Sequence, residues 1–462
     1  MNTSQKGPGL QPWVTSMKRY VIAGLILIPV AGTASAGPPP ITPLVVEGDT
    51  VAGVGNVTSI STFAINNSGD WLVEADTDNA NTDIDNVLLE NGSLAFQEGD
   101  SLNGPAGITL GSFDSITLNN SGQSGFNFFL DGAMTGEDSS VHAYLDTATS
   151  LPVGTVLVLQ EGGDFPDLSP MTPLIGIFDV KINDPGQLLV TASVDDPAIP
   201  STVDRALTLW TSDETLGGIV TSELIAAEGD ILTGQATALT DFGTGPHETA
   251  INGSGDVLFA VDIPGADAIY LWDGAFTEIA QEGDPSPIAG RNWATLTSST
   301  LDLNAAGDHV YRGSLDGDST TNSVIIHNGA KLIQEGDSLP AIGGTFLFTS
   351  FGSGPVEISD SGDVLWFGDW DDPDTTVDSG LFLNDVLIVQ EGVTEVTGLG
   401  IIDTVRGIVD GYHMSDDGLN IVFEAVLDSG DEGAFLLQLT SNTIFADGFE
   451  SGDTSAWSLT FP

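Results

Sequence analysis

The sequence predicts an all-β fold, a seven-bladed β-propeller of four-stranded antiparallel blades. Three observations predict it. Two short motifs alternate along the chain, and each occurs seven times at a spacing of roughly 50 to 70 residues, a period typical of repeat arrays and propellers. Short apolar runs bounded by turn residues separate the motifs. None of these runs has the periodicity of a helix.

The first 36 residues have the pattern of a secretory signal peptide. Lys18 and Arg19 precede an apolar run over 20–30, and small residues at 34–36 supply a cleavage site. The run is shorter than the roughly 20 apolar residues that a spanning helix needs. We therefore expect a cleaved signal over 1–36, with Met17 as an alternative start, and a linker over 37–42. The mature protein is expected to be secreted or at the cell surface, with no transmembrane segment.

The mature chain is strongly acidic. The sequence has 66 acidic and nine basic residues, a formal net charge of −57, and every acidic residue follows the expected signal peptide. Such a surface repels nucleic acid and anionic membranes, because it lacks the basic patch that phosphate binding requires. Cations suit it, either as a diffuse atmosphere or as bound Ca²⁺. Solubility in a salty medium explains the charge equally well.

The first motif is an Asn-x-x-Gly turn between two apolar strands. Asparagine bonds nearby backbone and glycine adopts positive φ, so both residues suit a tight turn. The last two copies have serine at the first position. The seven first positions are Asn66, Asn119, Asn183, Asn252, Asn304, Ser359 and Ser415.

The second motif is Glu-Gly-Asp after an apolar strand. We interpret it as fold chemistry, in which glycine takes positive φ at a strand end and aspartate bonds backbone N–H groups. The copy at Glu161 has an extra glycine and the one at Glu391 has lost its aspartate. The copies start at Glu47, Glu98, Glu161, Glu228, Glu282, Glu335 and Glu391. Asn-Gly and Asp-Gly pairs, as at 91–92, 273–274 and 328–329, predict hairpins between the last two strands of a blade.

The order of the motifs predicts how the ring closes. The mature chain begins with a Glu-Gly-Asp copy and ends with an Asn-x-x-Gly copy, so the two incomplete ends make one repeat. We expect the strand at 43–47 to supply the fourth strand of the last blade, built from about 400–440. This pairing removes both terminal sheet edges. An open solenoid, the alternative, would require polar capping repeats.

Over about 43–440 the turns and their following apolar runs resemble the tandem Asn-x-x-Gly-x-x-x-Phe repeats of exported bacterial proteins, the choice-of-anchor tandem repeat family. The resemblance implies export and a propeller-like fold over 43–440, and it implies no activity. The segment at 441–462 resembles short C-terminal tails of other exported proteobacterial proteins. A sorting or processing role and a plain exposed tail are both open for it.

The loops between the second and third strands of the blades are rich in aspartate. Equivalent loops share one face of a propeller, so we expect an acidic rim. Closely spaced carboxylates suit Ca²⁺, although no loop reproduces a complete calcium-binding loop, and solvated turn residues are the simpler interpretation. The candidate calcium ligands are Asp76, Asp78, Asp83, Asp85, Asp316, Asp318, Asp371, Asp372, Asp374 and Asp378.

No catalytic template is present in the sequence. The chain has no cysteine, which excludes thiol catalysis, and its five histidines, at 142, 247, 309, 327 and 413, show no metal-binding spacing. His247, Glu248 and Trp293 depart from the repeat pattern and are weak candidates for lining a pocket.

We favour a non-enzymatic scaffold that binds an extracellular or surface glycan or protein, with Ca²⁺ as a candidate aid. The alternative is a secreted propeller hydrolase or lyase acting on polysaccharide. A central pocket with converging carboxylates and a histidine or tyrosine would favour the enzyme. An acidic, loop-lined face without such a pocket would favour binding.

Overall fold

The computed structural model describes residues 39–102, 107–147, 149–152, 154–165, 172–195, 204–213, 218–296 and 300–440. This part of the chain forms seven antiparallel sheets in a ring, which confirms the seven-bladed β-propeller. It contains no α-helix, and a single 3-10 turn lies at Pro340–Ile342. No helix among these residues has the length and apolarity to cross a membrane. The expected signal peptide over 1–36 and the tail over 441–462 lie outside the described residues.

Blades 1 to 3 follow one another along the chain, and in each the first long strand is innermost. Blade 1 contains β2 (Thr50–Val51), β3 (Gly55–Ile65), β4 (Trp71–Thr77), β5 (Asn86–Glu90) and β6 (Ser93–Gln97). Blade 2 contains β7 (Thr109–Leu118), β8 (Ser124–Asp131), β9 (Ser139–Tyr144) and β10 (Thr155–Gln160). Blade 3 contains β11 (Leu174–Ile182), β12 (Gln187–Val194), β13 (Asp204–Asp213) and β14 (Gly218–Ala227).

In blades 4 to 6 the innermost strand is split into two short segments that pair with the same second strand. Blade 4 contains β15 (Asp241–Phe242), β16 (Thr249–Ile251), β17 (Val257–Ile263), β18 (Ala266–Trp272) and β19 (Phe276–Gln281). Blade 5 contains β20 (Trp293–Thr295), β21 (Leu301–Leu303), β22 (His309–Leu315), β23 (Ser323–His327) and β24 (Ala330–Gln334). Blade 6 contains β25 (Phe348–Ser350), β26 (Val356–Ile358), β27 (Val364–Trp370), β28 (Ser379–Leu383) and β29 (Val386–Gln390).

Blade 7 is completed by the first strand of the propeller. The blade contains β30 (Glu395–Val396), β31 (Gly400–Val405), β32 (Tyr412–Met414), β33 (Asn420–Leu427), β34 (Glu432–Gln438) and β1 (Ile41–Val46). Strand β1 pairs antiparallel with β34, with Ile41 opposite Leu437 and Val46 opposite Gly433. The predicted closure is confirmed, and the closing strand begins two residues earlier than 43.

The hydrophobic core is divided among the gaps between neighbouring blades. Successive side chains of a strand point to opposite faces, so each blade contributes to two gaps. In β4, for example, Leu72 packs with blade 2 and Val73 packs with blade 7. Seven apolar clusters fill the seven gaps, and the cluster between blades 7 and 1 contains Val45 of the closing strand. Each gap therefore has its own core, and the last one depends on closure.

The Glu-Gly-Asp motif shapes the turn after the outer strand of each blade. Its glycine has positive φ, as at Gly48 (φ 90°) and Gly336 (φ 86°). Its aspartate accepts a hydrogen bond from the backbone N–H three residues earlier, as Asp100 does from Gln97 at 2.9 Å. The predicted Asn-Gly hairpins are also confirmed, since Asn91 and Gly92 both have positive φ. The second motif therefore serves the fold.

The Asn-x-x-Gly turns join neighbouring blades at one end of the propeller axis. In four of the first five copies the asparagine Oδ1 accepts two backbone N–H groups of its own turn, and Asn183 accepts one; in all five the Nδ2 donates to the backbone of the next blade. The Nδ2 donations run from Asn66 to Asn119 O, Asn119 to Asn183 O, Asn183 to Asn252 O, Asn252 to Asn304 O, and Asn304 to Ser359 O, at 2.8–3.2 Å.

The two serine copies keep the local bond and replace the bond between blades. Ser359 Oγ accepts the N–H of Asp363, and Ser415 Oγ accepts the N–H of Asn420, each at 3.0 Å. Between blades 6 and 7 the backbone N–H of Asp360 donates to Asp416 O at 2.6 Å. Asn420 Nδ2 then donates to Asn66 O at 3.3 Å, which returns the series to blade 1. We call this closed series of hydrogen bonds the turn ring.

Candidate functional site

A channel of about 420 Å³ runs along the propeller axis and is lined by the innermost strands of all seven blades. The residue two positions before the first residue of each Asn-x-x-Gly turn lines it in every blade. Because side chains alternate along a strand, this position points to the same side as the turn asparagine that closes the ring. We call these seven residues the channel wall: Ala64, Thr117, Lys181, Ala250, Asp302, Glu357 and His413.

The ionisable side chains of the wall come from four of the seven blades. Blades 1, 2 and 4 contribute alanine or threonine, whereas blades 3, 5, 6 and 7 contribute a lysine, two carboxylates and a histidine. The turns are nearly the same in all seven repeats, but the wall residues differ in charge and size. The channel is therefore asymmetric although the ring that surrounds it is repetitive.

Three wall residues form a network across blades 5 to 7. Glu357 Oε1 lies 2.9 Å from His413 Nδ1, and Glu357 Oε2 accepts the backbone N–H of Met414 at 2.6 Å. Asp302 Oδ2 accepts the N–H of Ile358 at 2.8 Å. Asp302 and Glu357 thus each accept a hydrogen bond from the inner strand of the next blade. Glu357 also orients the imidazole of His413.

A second pair lies at the channel end opposite the turn ring. His247, three blades away from its partner along the ring, has its Nε2 3.0 Å from Asp410 Oδ1. Asp410 has a φ of 61°, a left-handed conformation that is uncommon outside glycine. The other non-glycine residues with positive φ are turn asparagines of β-hairpins. The backbone strain at Asp410 is therefore located at a residue of the channel.

The lysine of the wall is held by blade 3 and blade 4. Its Nζ lies 3.3 Å from Asp179 Oδ2 and donates to the carbonyl of Pro246. Asp179 is buried at 3% exposure, and burial raises its pKa against the opposing charges of Lys181 and His247. The ammonium group of Lys181 thus has partners within the protein.

The channel environment moves the pKa values of its acids in opposite directions. Burial, reinforced by Glu357, raises the pKa of Asp302 to about 7. Burial also opposes ionisation of Asp410, but the hydrogen bond from His247 and the charges of His247, Lys181 and His413 outweigh it, so its pKa is lowered. Near neutral pH, Asp302 can donate a proton while Asp410 is ionised.

The surroundings of His413 raise the pKa of its imidazole. Burial alone would lower the pKa of His413, but the charge of Glu357 and its hydrogen bond, with Asp416 and Asp302 behind them, raise it. The imidazole of His413 is therefore cationic over a wider pH range than an ordinary histidine.

Three more carboxylates converge where the channel meets the turn ring. They are the second residues of their turns, Asp184, Asp360 and Asp416. Asn120 Nδ2 donates to Asp416 at 2.8 Å and to Asp184 at 3.1 Å. Burial, together with Asp184 and Asp360, raises the pKa of Asp416 to about 6. Amides and acids predominate at this end of the channel, and His413 is the basic side chain that faces Asp416.

The aspartates proposed as calcium ligands lie outside the channel, in the loops after the second strands of blades 1, 5 and 6. The first loop aspartate accepts the N–H of a residue near the start of its blade's inner strand, as Asp78 does from Asn56 (2.6 Å), Asp316 from Asn292 (3.0 Å) and Asp371 from Leu347 (2.6 Å).

Other members of the set bond within their own blade. Asp76 accepts from Ser59, Asp318 from Thr320, Asp372 from Asp374 N and Asp374 from Thr376. Asp83 and Asp85 lie in the blade 1 loop, and Asp378 in the blade 6 loop, where the carbonyls of Asp85 and Asp378 accept the N–H groups of Thr77 and Trp370. Within the described residues, no group of three or more histidine or acidic side chains is arranged around a common metal position. The calcium site stays a prediction.

Most residues of the channel were missed by sequence reasoning. Of the three departures from the repeat, His247 lines the channel, whereas Trp293 is buried in the core between blades 4 and 5, and Glu248 accepts the N–H of Gly245. Lys181, Asp302, Glu357 and His413 were not singled out. The signal for them was the wall position, two residues before each turn, which alternation along a strand places on the same side as the turn asparagine.

Comparison with known proteins gives a family and distant structural similarities. A family model described as "Family of unknown function (DUF7453)" matches residues 30–269. No curated protein matches the sequence. An oligogalacturonate lyase in complex with manganese is 14% identical, with a TM-score of 0.42, over 88% of this chain and 100% of that chain.

Two further solved structures are similar at the same low level. The polysaccharide lyase Uly1 is 10% identical, with a TM-score of 0.38, over 85% of this chain and 91% of that chain. A Trypanosoma rangeli sialidase in complex with sialic acid is 9% identical, with a TM-score of 0.32, over 88% of this chain and 60% of that chain. Similarities at this level carry no information about activity.

Proposed function

The chain belongs to DUF7453, a family of unknown function, and we propose that it is an exported propeller that binds the end of a glycan chain in its central channel. One observation carries the proposal. The repeats keep their turns nearly constant, but the wall position varies, and in five of the seven blades it places a polar or charged side chain at one channel of about 420 Å³. That volume is in the range of small-molecule sites.

The size and polarity of the channel favour a glycan over a protein ligand. A protein partner of ordinary affinity buries about 800 Å² on each side, whereas a channel of about 420 Å³ has the volume of a small-molecule site. Carboxylates accept hydrogen bonds from sugar hydroxyls, and His247 and His413 can donate through the ring nitrogens that their acidic partners leave available. Export through the signal peptide and kinship with the choice-of-anchor repeat family are parts of the same proposal.

A binding experiment with a blocked channel tests the proposal. Isothermal titration calorimetry with a panel of neutral, amine-bearing and uronate oligosaccharides is expected to give one site per chain for at least one of them. Thr62 lines the channel and is only partly buried, so Thr62→Trp should abolish that binding. Neighbouring Ser61 is exposed and does not line the channel, so Ser61→Trp is the matched control. Binding that survives Thr62→Trp with an intact fold would contradict the channel site.

A second candidate function is hydrolysis of the bound glycan. Converging carboxylates and histidines in a central pocket are the feature expected of an enzyme, and the channel has them. Glycoside cleavage needs one acid that is protonated and one that is ionised, and the pKa shifts of Asp302 and Asp410 satisfy this. Asp302 would protonate the leaving oxygen while Asp410 takes a proton from the attacking water.

Release of 4-nitrophenol from a series of neutral 4-nitrophenyl glycosides separates the two candidates. Hydrolysis predicts turnover with a bell-shaped pH profile, lost in both Asp302→Asn and Asp410→Asn while oligosaccharide binding persists. Binding without turnover on every glycoside of the series would leave the protein a binding module.

A further inference from the structure

The charge of the channel lining specifies the ligand more narrowly. This inference rests on the proposed function, because it concerns the ligand of the same channel. Eight carboxylates line the cavity, namely Asp114, Asp179, Asp184, Asp302, Glu357, Asp360, Asp410 and Asp416. The basic side chains among the described lining residues are Lys181, His247 and His413. The cavity defines the site, and the balance of charges within it defines what fits there.

Each basic side chain in the channel is already paired with an acid. Lys181 lies 3.3 Å from Asp179, His247 lies 3.0 Å from Asp410, and His413 lies 2.9 Å from Glu357. These pairs use three of the eight carboxylates. A ligand carboxylate or sulfate entering the channel would therefore find no uncommitted cation, and it would face the remaining acids.

The other five carboxylates accept hydrogen bonds from neutral donors. Asp302 accepts the N–H groups of Ile358 and Leu303, each at 2.8 Å. Asp184 and Asp416 share the amide of Asn120.

The remaining two carboxylates, Asp360 and Asp114, also accept hydrogen bonds from neutral donors. Asp360 accepts the N–H of Ala305 at 3.0 Å, and Asp114 accepts the amide of Asn127 at 2.6 Å. Neutral donors satisfy geometry but leave the negative charge of these acids without a counter-charge.

The raised pKa values of these acids agree with that arrangement. Burial, with Glu357 and Asp416 also facing it, raises the pKa of Asp302, and burial, with Asp184 and Asp360 facing it, raises that of Asp416. His413 is the cation that faces both, and it is held by Glu357. A positive ligand group would lower both pKa values and displace protons.

We propose that the ligand carries an ammonium group, so that the channel selects an amino sugar over a neutral sugar and excludes uronates. The ammonium group lies among the acids that lack a basic partner, with Asp302 and Asp416 as its principal contacts. The hydroxyls of the same sugar are left for the imidazoles and for the polar backbone of the inner strands.

Three probes of one length separate the charge classes. Tetra-glucosamine and its fully N-acetylated counterpart differ only in amine against acetamide, and tetra-galacturonate carries a carboxylate on each ring. Calorimetry on the full-length exported protein at pH 6, below the ordinary pKa range of amino groups, should show tetra-glucosamine binding at least about tenfold more tightly than the acetylated probe. Added salt should weaken the first probe and not the second.

Proton release gives an independent readout. An ammonium group that contacts Asp302 requires the ionised carboxylate, so binding of tetra-glucosamine should release protons, detected as a dependence of the heat on the ionisation enthalpy of the buffer. Asp302→Asn and Asp416→Asn should each reduce the preference for the amine. Asp428→Asn, an exposed loop aspartate of blade 7, is the matched control and should leave it unchanged.

The outcomes distinguish this inference from the proposed function. If the acetylated probe or tetra-galacturonate binds as tightly as tetra-glucosamine or more tightly, the proposed selection of an ammonium group is wrong, while glycan binding in the channel still holds. Binding of none of the three, nor of any oligosaccharide in the wider panel, overturns both. A preference for the amine that survives both channel variants contradicts the assigned contacts.

Discussion

The turn ring and the channel wall lie within two residues of each other in sequence, yet they follow opposite rules. The first residue of the turn is asparagine in five blades and serine in two, and in each blade its side-chain oxygen accepts a backbone N–H from the far end of its own turn. The wall position ranges from alanine to lysine and glutamate. The turn position is therefore constrained by the hydrogen bonds of the turn ring. The wall position, two residues earlier, is free to vary and so is available for function.

The difference teaches where to look for function in a repeat protein. A side chain needed in every blade, such as the turn asparagine, satisfies backbone groups that every blade exposes. A side chain found once, such as Lys181 or His413, satisfies nothing that the repeat requires. The channel is the place where such single residues from different blades meet.

Removing one turn asparagine should produce the largest effect and should affect stability alone. Asn119 is 4% exposed, accepts the N–H groups of Ser121 and Gln123, and donates to Asn183 O. Asn119→Ala leaves these buried groups unsatisfied and should lower the free energy of unfolding by about 2–3 kcal/mol in urea titrations. Asn81→Ala, at an exposed asparagine, is the control. A loss below about 0.5 kcal/mol would show that the turn ring contributes little.

Seven carboxyl groups spread over the blades, among them Asp302 of the wall, should dominate the dependence of stability on pH. Burial raises the pKa of Glu74 to about 8, those of Glu98, Asp302 and Glu424 to about 7, and those of Asp262, Asp369 and Asp416 to about 6. The folded state holds these protons longer than the unfolded state, so stability is full below about pH 4 and falls as the pH rises through 6 to 8.

The melting temperature at constant ionic strength should therefore fall from pH 4.5 to 8.5. Burial lowers the pKa of His142 to about 4 and also lowers that of His309, which works in the opposite direction but involves two groups against seven. Asp302→Asn and Glu74→Gln should each flatten the slope. A melting temperature that rises over this range would contradict the raised pKa values.

The glutamate of the wall should control its neighbouring imidazole with little effect on the fold. In Glu357→Gln the amide oxygen can still accept from Met414 N, but the negative charge beside His413 is lost. The pKa of His413 should fall, because the charge of Glu357 is one of the causes that raise it, and NMR titration of the imidazole signals measures this. Burial lowers the pKa of His142, and this histidine should titrate as before. An unchanged pKa of His413 would show that Glu357 does not control the protonation of this imidazole.

The smallest effect should come from restoring the motif. Ser359→Asn adds an amide that can donate to the blade 7 turn, as the other five asparagines donate to their neighbours. We expect a gain of about 0.5 kcal/mol in urea titrations, the lower end for a single hydrogen bond. Asn304→Ser is the reverse change and should lose a similar or larger amount. A loss in Ser359→Asn would show that the backbone bond from Asp360 already fills this place.

Much of the fold could be predicted from the sequence because its signals are local. The blade count, the Asn-Gly hairpins and the Glu-Gly-Asp turns depend on φ preferences and hydrogen bonds within four residues. The closing strand β1 followed from the order of the motifs. The donation of Asn119 to Asn183 could not be predicted from local pattern, since it joins turns 64 residues apart.

The site was less predictable for the same reason. His247 and Asp410 are 163 residues apart, and only the ring geometry brings them together. Nothing local distinguishes His247, which faces the channel, from Trp293, which is 4% exposed in a core. Sixty-six acidic residues also gave no basis for choosing eight. The phase of the inner strands would have narrowed the choice, because it fixes which residues face the axis.

The pairing of β1 with β34 has a consequence for when the channel comes into existence. During synthesis β1 is made before its partner β34, so Ile41 can pair with Leu437 only after the last blade has been made. Until then the gap between blades 7 and 1 has no core, and two sheet edges are open to other chains. The wall needs His413 and Glu357 as much as Thr117 and Lys181. The channel is therefore complete only after the last blade has been made and β34 has paired with β1.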